Sequence, residues 1–163
     1  MLRFGLAIAA ATLLVDQLAK WLIRAVVMDP PTTIPLTFFF DLVLAWNRGV
    51  SFSLFSSDWA AAPYLLCGFS LAVVLALGFW LGKAANRWVA AGLGLIIGGA
   101  LGNALDRLLF GAVVDFLHFH WDIYYFPAFN LADSAITVGV GLLLIDGLFG
   151  KLWQPKPGAD PRG

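Results

Sequence analysis

Residues 98–136 read GGALGNALDRLLFGAVVDFLHFHWDIYYFPAFNLADSAI. Asp106, Asp115, Asp122 and Asp133 all fall in this stretch, and its flanks are mostly hydrocarbon side chains. A charge at or near a bilayer is costly to keep, so acids set among membrane-grade segments point to function. The spacing places Asp115 at the end of one apolar helix and Asp133 at the start of the next, with 17 residues, 116–132, between them. Two carboxylates brought together at one end of a helical pair cannot both ionise easily, and they hold one proton between them. One then serves as base and the other as acid. Because such titrations are coupled, the sequence does not say which aspartate holds the proton.

The rest of the chain sets the surroundings. Of 163 residues, 61% are hydrophobic and 12% charged, against about 25% charged in an ordinary soluble domain. The mean hydropathy is +0.86. These values predict an integral membrane α-helical protein with a single membrane domain over residues 1–163. A net charge of zero offers no attraction to nucleic acid. The lone Cys67 makes neither a disulfide nor a thiolate metal cage within one chain. All ten acids are aspartate, and the absence of glutamate rules out HExxH metalloprotease chemistry.

A helix that crosses the bilayer takes roughly 20 apolar residues. Four stretches meet this: about 4–27, 60–82, 88–110 and 131–150. The first carries Asp16, Lys20 and Arg24, which a cleaved signal peptide would not, so it is expected to be retained. Arg3, Lys83, Arg87, Lys151, Lys156 and Arg162 fall on one side of the spans, and Arg24, Arg48 and Arg107 on the other. The richer side should be cytoplasmic. Both termini are then inside, and the connections 28–59 and 111–130 face the periplasm.

Several polar residues recur at helical spacing. Asp16, Lys20 and Arg24 share one face of the first helix, as do Asn103 and Arg107 on the third. These predict an Asp–Lys pair, an interfacial arginine and a buried network around Asp106 and Arg107. Ala90, Gly94, Gly98 and Gly102 put a small residue at every fourth position, so another helix can approach closely. Asp146, near the cytoplasmic end, reads as structural. Helix 2 carries no charge between Trp59 and Lys83 and reads as packing, while Trp80 and Trp88 bracket an interface.

The 28–59 connection predicts a small β-sheet on the outer surface, over about residues 35–57. Pro30, Pro31 and Pro35 stop the helix, TFFFDLVLAW and VSFSLF read as strands, and Asn47-Arg48-Gly49 reads as the turn between them. Such a sheet is either an interfacial anchor, with Phe38, Phe39, Phe40 and Trp46 at the membrane surface, or a platform for an extended substrate. In a strand, His118, His120 and Asp122 would share a face, but no fourth ligand is evident and no metal site is assigned. The Pro- and Gly-rich tail, about 154–163, reads as disordered.

Five motifs stand in one order along the chain: DQLAK in helix 1, NRGVSF after the first strand, GNALDR closing helix 3, VVDF, and FNLAD opening helix 4. In this the sequence resembles the bacterial lipoprotein signal peptidases (signal peptidase II), which are intramembrane aspartyl peptidases. The resemblance implies catalytic aspartates at Asp115 and Asp133. It implies substrate-positioning or supporting roles for Asp16, Lys20, Asn47, Asn103, Asp106, Arg107 and Asn130. The implied reaction removes the signal peptide from a prolipoprotein, cutting just before a cysteine that carries diacylglycerol. No metal and no cofactor is implied. Membrane lipids and inhibitors of the globomycin type are the other implied partners, and the bacterial inner membrane is the implied location. Val50-Ser51 departs from the smaller residues usual in that family.

Two other readings compete on residues alone. A serine protease would use Ser134 or Ser53 with His118, but no Gly-x-Ser-x-Gly elbow is present. A proton relay or passive scaffold would use Asp16, Lys20, Asp106 and Arg107 and show no peptidase activity.

Overall fold

The structure is a computed structural model that describes residues 1–49 and 61–149. Four helices are long and apolar enough to cross a membrane. Helix α1 spans Leu2–Leu22 and runs on through a wider π-helical turn, Ile23–Val27. Helices α2, α3 and α4 span Ala62–Gly82, Arg87–Phe110 and Leu131–Phe149. Their bounds agree with the expected spans to within a few residues. The shortest, α4, has 19 residues. At about 1.5 Å per residue it still crosses a hydrocarbon core of about 30 Å.

Helix α3 forms the centre of the bundle. In its most apolar window 72% of residues are buried, against 11–22% in the other three spans. Lipid tails give no hydrophobic drive between helices, so association depends on close backbone packing. Two successive glycines allow it on two sides. A Cβ on Gly98 would lie 2.5 Å from the Ala9 carbonyl oxygen of α1. A Cβ on Gly99 would lie 2.5 Å from the Ala132 carbonyl oxygen of α4. The small-residue face expected from Ala90, Gly94, Gly98 and Gly102 is therefore the α1 side of α3, and Gly99 adds a second face that the four-residue spacing did not show.

The sheet holds four strands in the order β1-β2-β3-β4: Ile34–Thr37, Phe40–Asn47, Val113–Trp121 and Tyr124–Tyr125. All neighbours are antiparallel. The hairpin turn between β1 and β2 falls at Phe38–Phe39. Strand β2 pairs with β3, with Ala45 opposite Asp115 and Asn47 opposite Val113. The Asn47-Arg48-Gly49 turn is present, with Gly49 at φ +87° and its N–H donating to Asn47 Oδ1 at 2.8 Å. The expected strand at VSFSLF, the rest of the 35–57 segment beyond Gly49 and the tail lie outside the described residues.

Two local expectations are corrected. Asp115 does not end α3. That helix stops at Phe110, where Gly111 turns left-handed and its N–H caps the Arg107 carbonyl. The β-branched Val113 and Val114 then begin a strand, and Asp115 sits third in it. Asp122 does not share the face of His118 and His120, because it lies beyond the end of β3 at φ +53°. His120 Nε2 and His118 Nδ1 lie 3.1 Å and 4.0 Å from Asp41 Oδ2 on β2.

The glycine contacts generate a paired prediction. Gly99→Ala should destabilise the folded protein by about 1–3 kcal/mol through overpacking. Gly141→Ala, on a face of α4 where a Cβ meets nothing within 4 Å, should change stability by less than about 0.5 kcal/mol. Thermal unfolding in detergent micelles checks both.

Candidate active site

Residues from α1, the C-terminal turns of α3, β2, β3 and the start of α4 meet at one end of the bundle. Asp16, Asp106, Asp115 and Asn130 are each 2% exposed or less. Lys20 Nζ sits between the first two acids, 2.8 Å from Asp16 Oδ2 and 2.9 Å from Asp106 Oδ2. It also donates to Asn103 Oδ1 at 3.0 Å. The expected Asp16–Lys20 pair is thus one side of a three-residue ion cluster. Arg24, one turn further, lies over the Phe110 ring at 4.8 Å, a cation–π contact.

The cluster grips the chain beside both candidate catalytic residues. Asp16 Oδ1 accepts from the Ala132 N–H at 2.9 Å, one residue before Asp133. Asp106 Oδ2 accepts from the Val114 N–H at 3.1 Å, one residue before Asp115. Two carboxylates sharing one ammonium therefore fix the backbone entering each position.

A second set of bonds joins the two aspartates. Phe129 and Leu117 exchange backbone bonds of 2.9 Å and 3.0 Å, and the Phe116 N–H also reaches the Phe129 carbonyl at 3.0 Å. This bridge lays the start of α4 against β3. Asn130 then stands immediately before α4. Its Oδ1 accepts from the Asp133 N–H at 2.9 Å, and its own N–H donates to Asp133 Oδ2 at 3.2 Å. That reciprocal exchange is a capping box with aspartate as the reaching acid. The Asn130 Nδ2 donates to Asp115 Oδ1 at 2.6 Å. One asparagine side chain and its backbone thus hold both acids.

Each acid has one further amide donor. Asn103 Nδ2 donates to Asp133 Oδ1 at 2.8 Å. Asn47 Nδ2, at the end of β2, donates to Asp115 Oδ2 at 3.0 Å. Burial pushes the Asp115 carboxyl up to about 6 from an ordinary 3.8. The Asn47 hydrogen bond opposes that shift, nearby Asp133 adds to it, and the Asn130 bond and Lys20 oppose it.

All nine residues singled out from the sequence fall in or beside this site. Arg107 is half-buried; its Nη1 donates to the Asn103 carbonyl at 3.3 Å, and its buried Nε has no hydrogen-bond partner among the described residues. Gln17 was not singled out, yet its Nε2 donates to Asp106 Oδ1 at 3.0 Å and lies 3.3 Å from both Asp16 Oδ2 and the Gly102 carbonyl. Its signal was an amide beside Asp16 in an otherwise apolar span. Asp146 accepts from Asn86, which caps α3 through the Val89 N–H. Among the described residues, no group of three or more His, Cys or Asp side chains could hold a metal ion.

The raised pKa of Asp115 carries a stability signature. A folded-state value of about 6 against 3.8 means the folded protein binds a proton at Asp115 more readily than the unfolded chain. The resulting stabilisation is full below pH 3.8 and is lost as pH rises to about 6. The stability of Asp115→Asn relative to wild type should therefore rise between those pH values and level off above them. The change should be on the order of 2–3 kcal/mol. Melting curves of both proteins across the pH range check it.

Comparison with known proteins adds the context. A family model described as "Signal peptidase (SPase) II" matches residues 8–149. A lipoprotein signal peptidase of Rhodopseudomonas palustris (strain TIE-1) is 44% identical over 153 residues, covering 91% of this chain and 93% of the relative. Another, of Methylorubrum extorquens (strain PA1), is 46% identical, covering 96% and 90%. A bacterial membrane enzyme solved by the in meso method at 2.3 Å superposes with a TM-score of 0.78 at 28% identity, over 96% of this chain and 94% of that one.

Proposed function

The chain belongs to the signal peptidase II family of membrane aspartic peptidases, and from that premise we propose that Asp115 and Asp133 are its catalytic pair. Its activity is that of a lipoprotein signal peptidase. The single observation that carries the assignment is Asn130, which donates from Nδ2 to Asp115 and from its backbone to Asp133. Aspartates held by one residue can act on one water and one scissile amide. One takes a proton from water as the water oxygen attacks the carbonyl carbon, and the other protonates the carbonyl oxygen. The chemistry needs no covalent enzyme intermediate.

The substrate is a prolipoprotein that already carries diacylglycerol on a cysteine, and the cut falls on the N-terminal side of that cysteine. The lipid would hold the scissile bond at the depth where α3 ends and β3 begins. The signal peptide's apolar segment would lie along the exposed faces of the bundle, under the sheet. Asn47, at the rim of the sheet, and Arg107, whose Nε has no hydrogen-bond partner among the described residues, are the groups that would position substrate. Asp16, Lys20, Asn103, Asp106 and Asn130 support the pair from behind. Membrane lipids and globomycin-like inhibitors are further partners.

The whole chain forms one multi-pass membrane domain of the inner membrane. Both termini would lie in the cytoplasm and the active site toward the periplasm. The support is the excess of Lys and Arg near the 83–87 loop and the termini.

Asp115→Asn and Asp133→Asn should each lower cleavage of a lipid-modified precursor by at least a thousandfold while the protein still purifies folded. A mass-spectrometric assay of the released signal peptide checks this, and full turnover by either variant would refute the pair.

A further inference from the structure

The end of the bundle remote from the aspartate site gathers cations that the reaction does not use. Helix α3 carries Arg87 at its start and Asp106 near its finish, about 30 Å apart along the axis. Three helices meet around Gly5 of α1. A Cβ there would meet the Leu81 side chain at the end of α2 and lie 2.9 Å from the Ala90 carbonyl oxygen in the first turn of α3. Leu81 and Ala90 are both fully buried. This contact brings Arg3 of α1, Lys83 just past α2 and Arg87 at the start of α3 to one corner.

The loop that carries two of these cations is short and fixed. Only residues 83–86 separate α2 from α3. The Lys83 and Ala84 N–H groups donate back to the Trp80 and Leu81 carbonyls at 2.9 Å and 3.1 Å. Asn86 Oδ1 caps α3 by accepting from the Val89 N–H at 2.9 Å. Asn86 Nδ2 donates at 2.8 Å to Asp146, so the aspartate that α4 brings to this end faces an amide. Among the described residues, none of Arg3, Lys83 and Arg87 pairs with an aspartate, and all three are exposed.

Two of the cations lie on apolar rings. Arg87 Cζ is 5.9 Å from the Phe4 ring centroid, and Lys83 Nζ is 4.3 Å from that of Phe79. Phe4, Phe79, Trp80 and Trp88 are all exposed. The corner therefore offers two chemistries in one place: hydrocarbon for an acyl chain and positive charge for a phosphate. A free phosphate would leave the rings unused. A zwitterionic lipid would bring an ammonium that the three cations repel.

We propose that Arg3, Lys83 and Arg87 form a binding site for the phosphate of an anionic phospholipid, whose acyl chains lie along the exposed rings of Phe4, Phe79, Trp80 and Trp88. The lipid joins the adjoining ends of α1, α2 and α3. The site is independent of which aspartates are catalytic.

Native mass spectrometry of the full-length protein reads the preference, from micelles holding equal amounts of phosphatidylglycerol and phosphatidylcholine. The wild type should retain phosphatidylglycerol over phosphatidylcholine by at least about tenfold. Arg3→Gln, Lys83→Gln and Arg87→Gln should each lower that ratio by about two- to fivefold, and the triple variant should show no preference. Arg87→Lys, which keeps the charge, should hold the ratio within about twofold of wild type. Arg24→Gln, at the other end of α1, should leave it unchanged. Equal retention of the two lipids by the wild type overturns the proposal. So does an equal loss in Arg24→Gln, which would trace the preference to overall charge. Displacement of the lipid by about 10 mM inorganic phosphate would make the corner a free-anion site and overturns it as well. Phosphatidylglycerol should also raise the melting temperature of the wild type but not of the triple variant, and an equal rise in both overturns the site.

Discussion

One ammonium holds the polar end of this bundle together. Lys20 contacts Asp16, Asp106 and Asn103 within 3.0 Å, and its side chain is 4% exposed. Burying three charges costs several kcal/mol per ion unless each is paired and hydrogen-bonded. Here the remaining acceptor sites are filled by Gln17, the Ala132 N–H and the Val114 N–H. The filled sites matter because of where those amides lie. Each precedes one of the two candidate aspartates, so the ion cluster is the fixed reference from which β3 and α4 are both placed.

Packing brings the cluster into existence. Gly98 and Gly99 face α1 and α4 in turn, letting both backbones close on α3. A Cβ at Gly102 would lie 2.5 Å from Asp16 Oδ2, so the same small-residue face that seats the helix leaves space for the carboxylate. Side-chain length enters as well. Every acid in the chain is aspartate, and a carboxylate one methylene longer at position 16 would overfill the space that Gly102 leaves for it.

The sequence made legible the spans, the small-residue face, the Asp16–Lys20 pair and the nine polar residues that the fold gathers at one end of the bundle. Each rests on a local period or on a motif. It hid the sheet's pairing, because β2 and β3 are far apart in sequence and only the bulge between Leu42 and Ala45 sets Ala45 opposite Asp115. The strand that follows α3 was hidden too. The left-handed turn at Gly111 decides where the chain leaves the bundle, and one glycine among many carries no mark of that role. Gln17 went unassigned for a related reason. Its partners lie 85 and 89 residues away, and a lone amide in an apolar run does not name them.

Asn130 and Asp133 tie the chemistry to the fold more tightly than a mobile site would. The box that begins α4 needs an acceptor on Asp133 for the Asn130 N–H, and an ionised carboxylate there also favours the start of the helix. Asp133 is therefore a structural element of its own helix as well as a member of the proposed pair. Asp115 has the opposite character. Its burial makes the charged form costly, and the strand that carries it would be easier to hold with an uncharged side chain. The protein keeps an unfavourable acid at Asp115 at the expense of stability, as functional sites commonly do, and the ion cluster around Lys20 is what holds that acid in place.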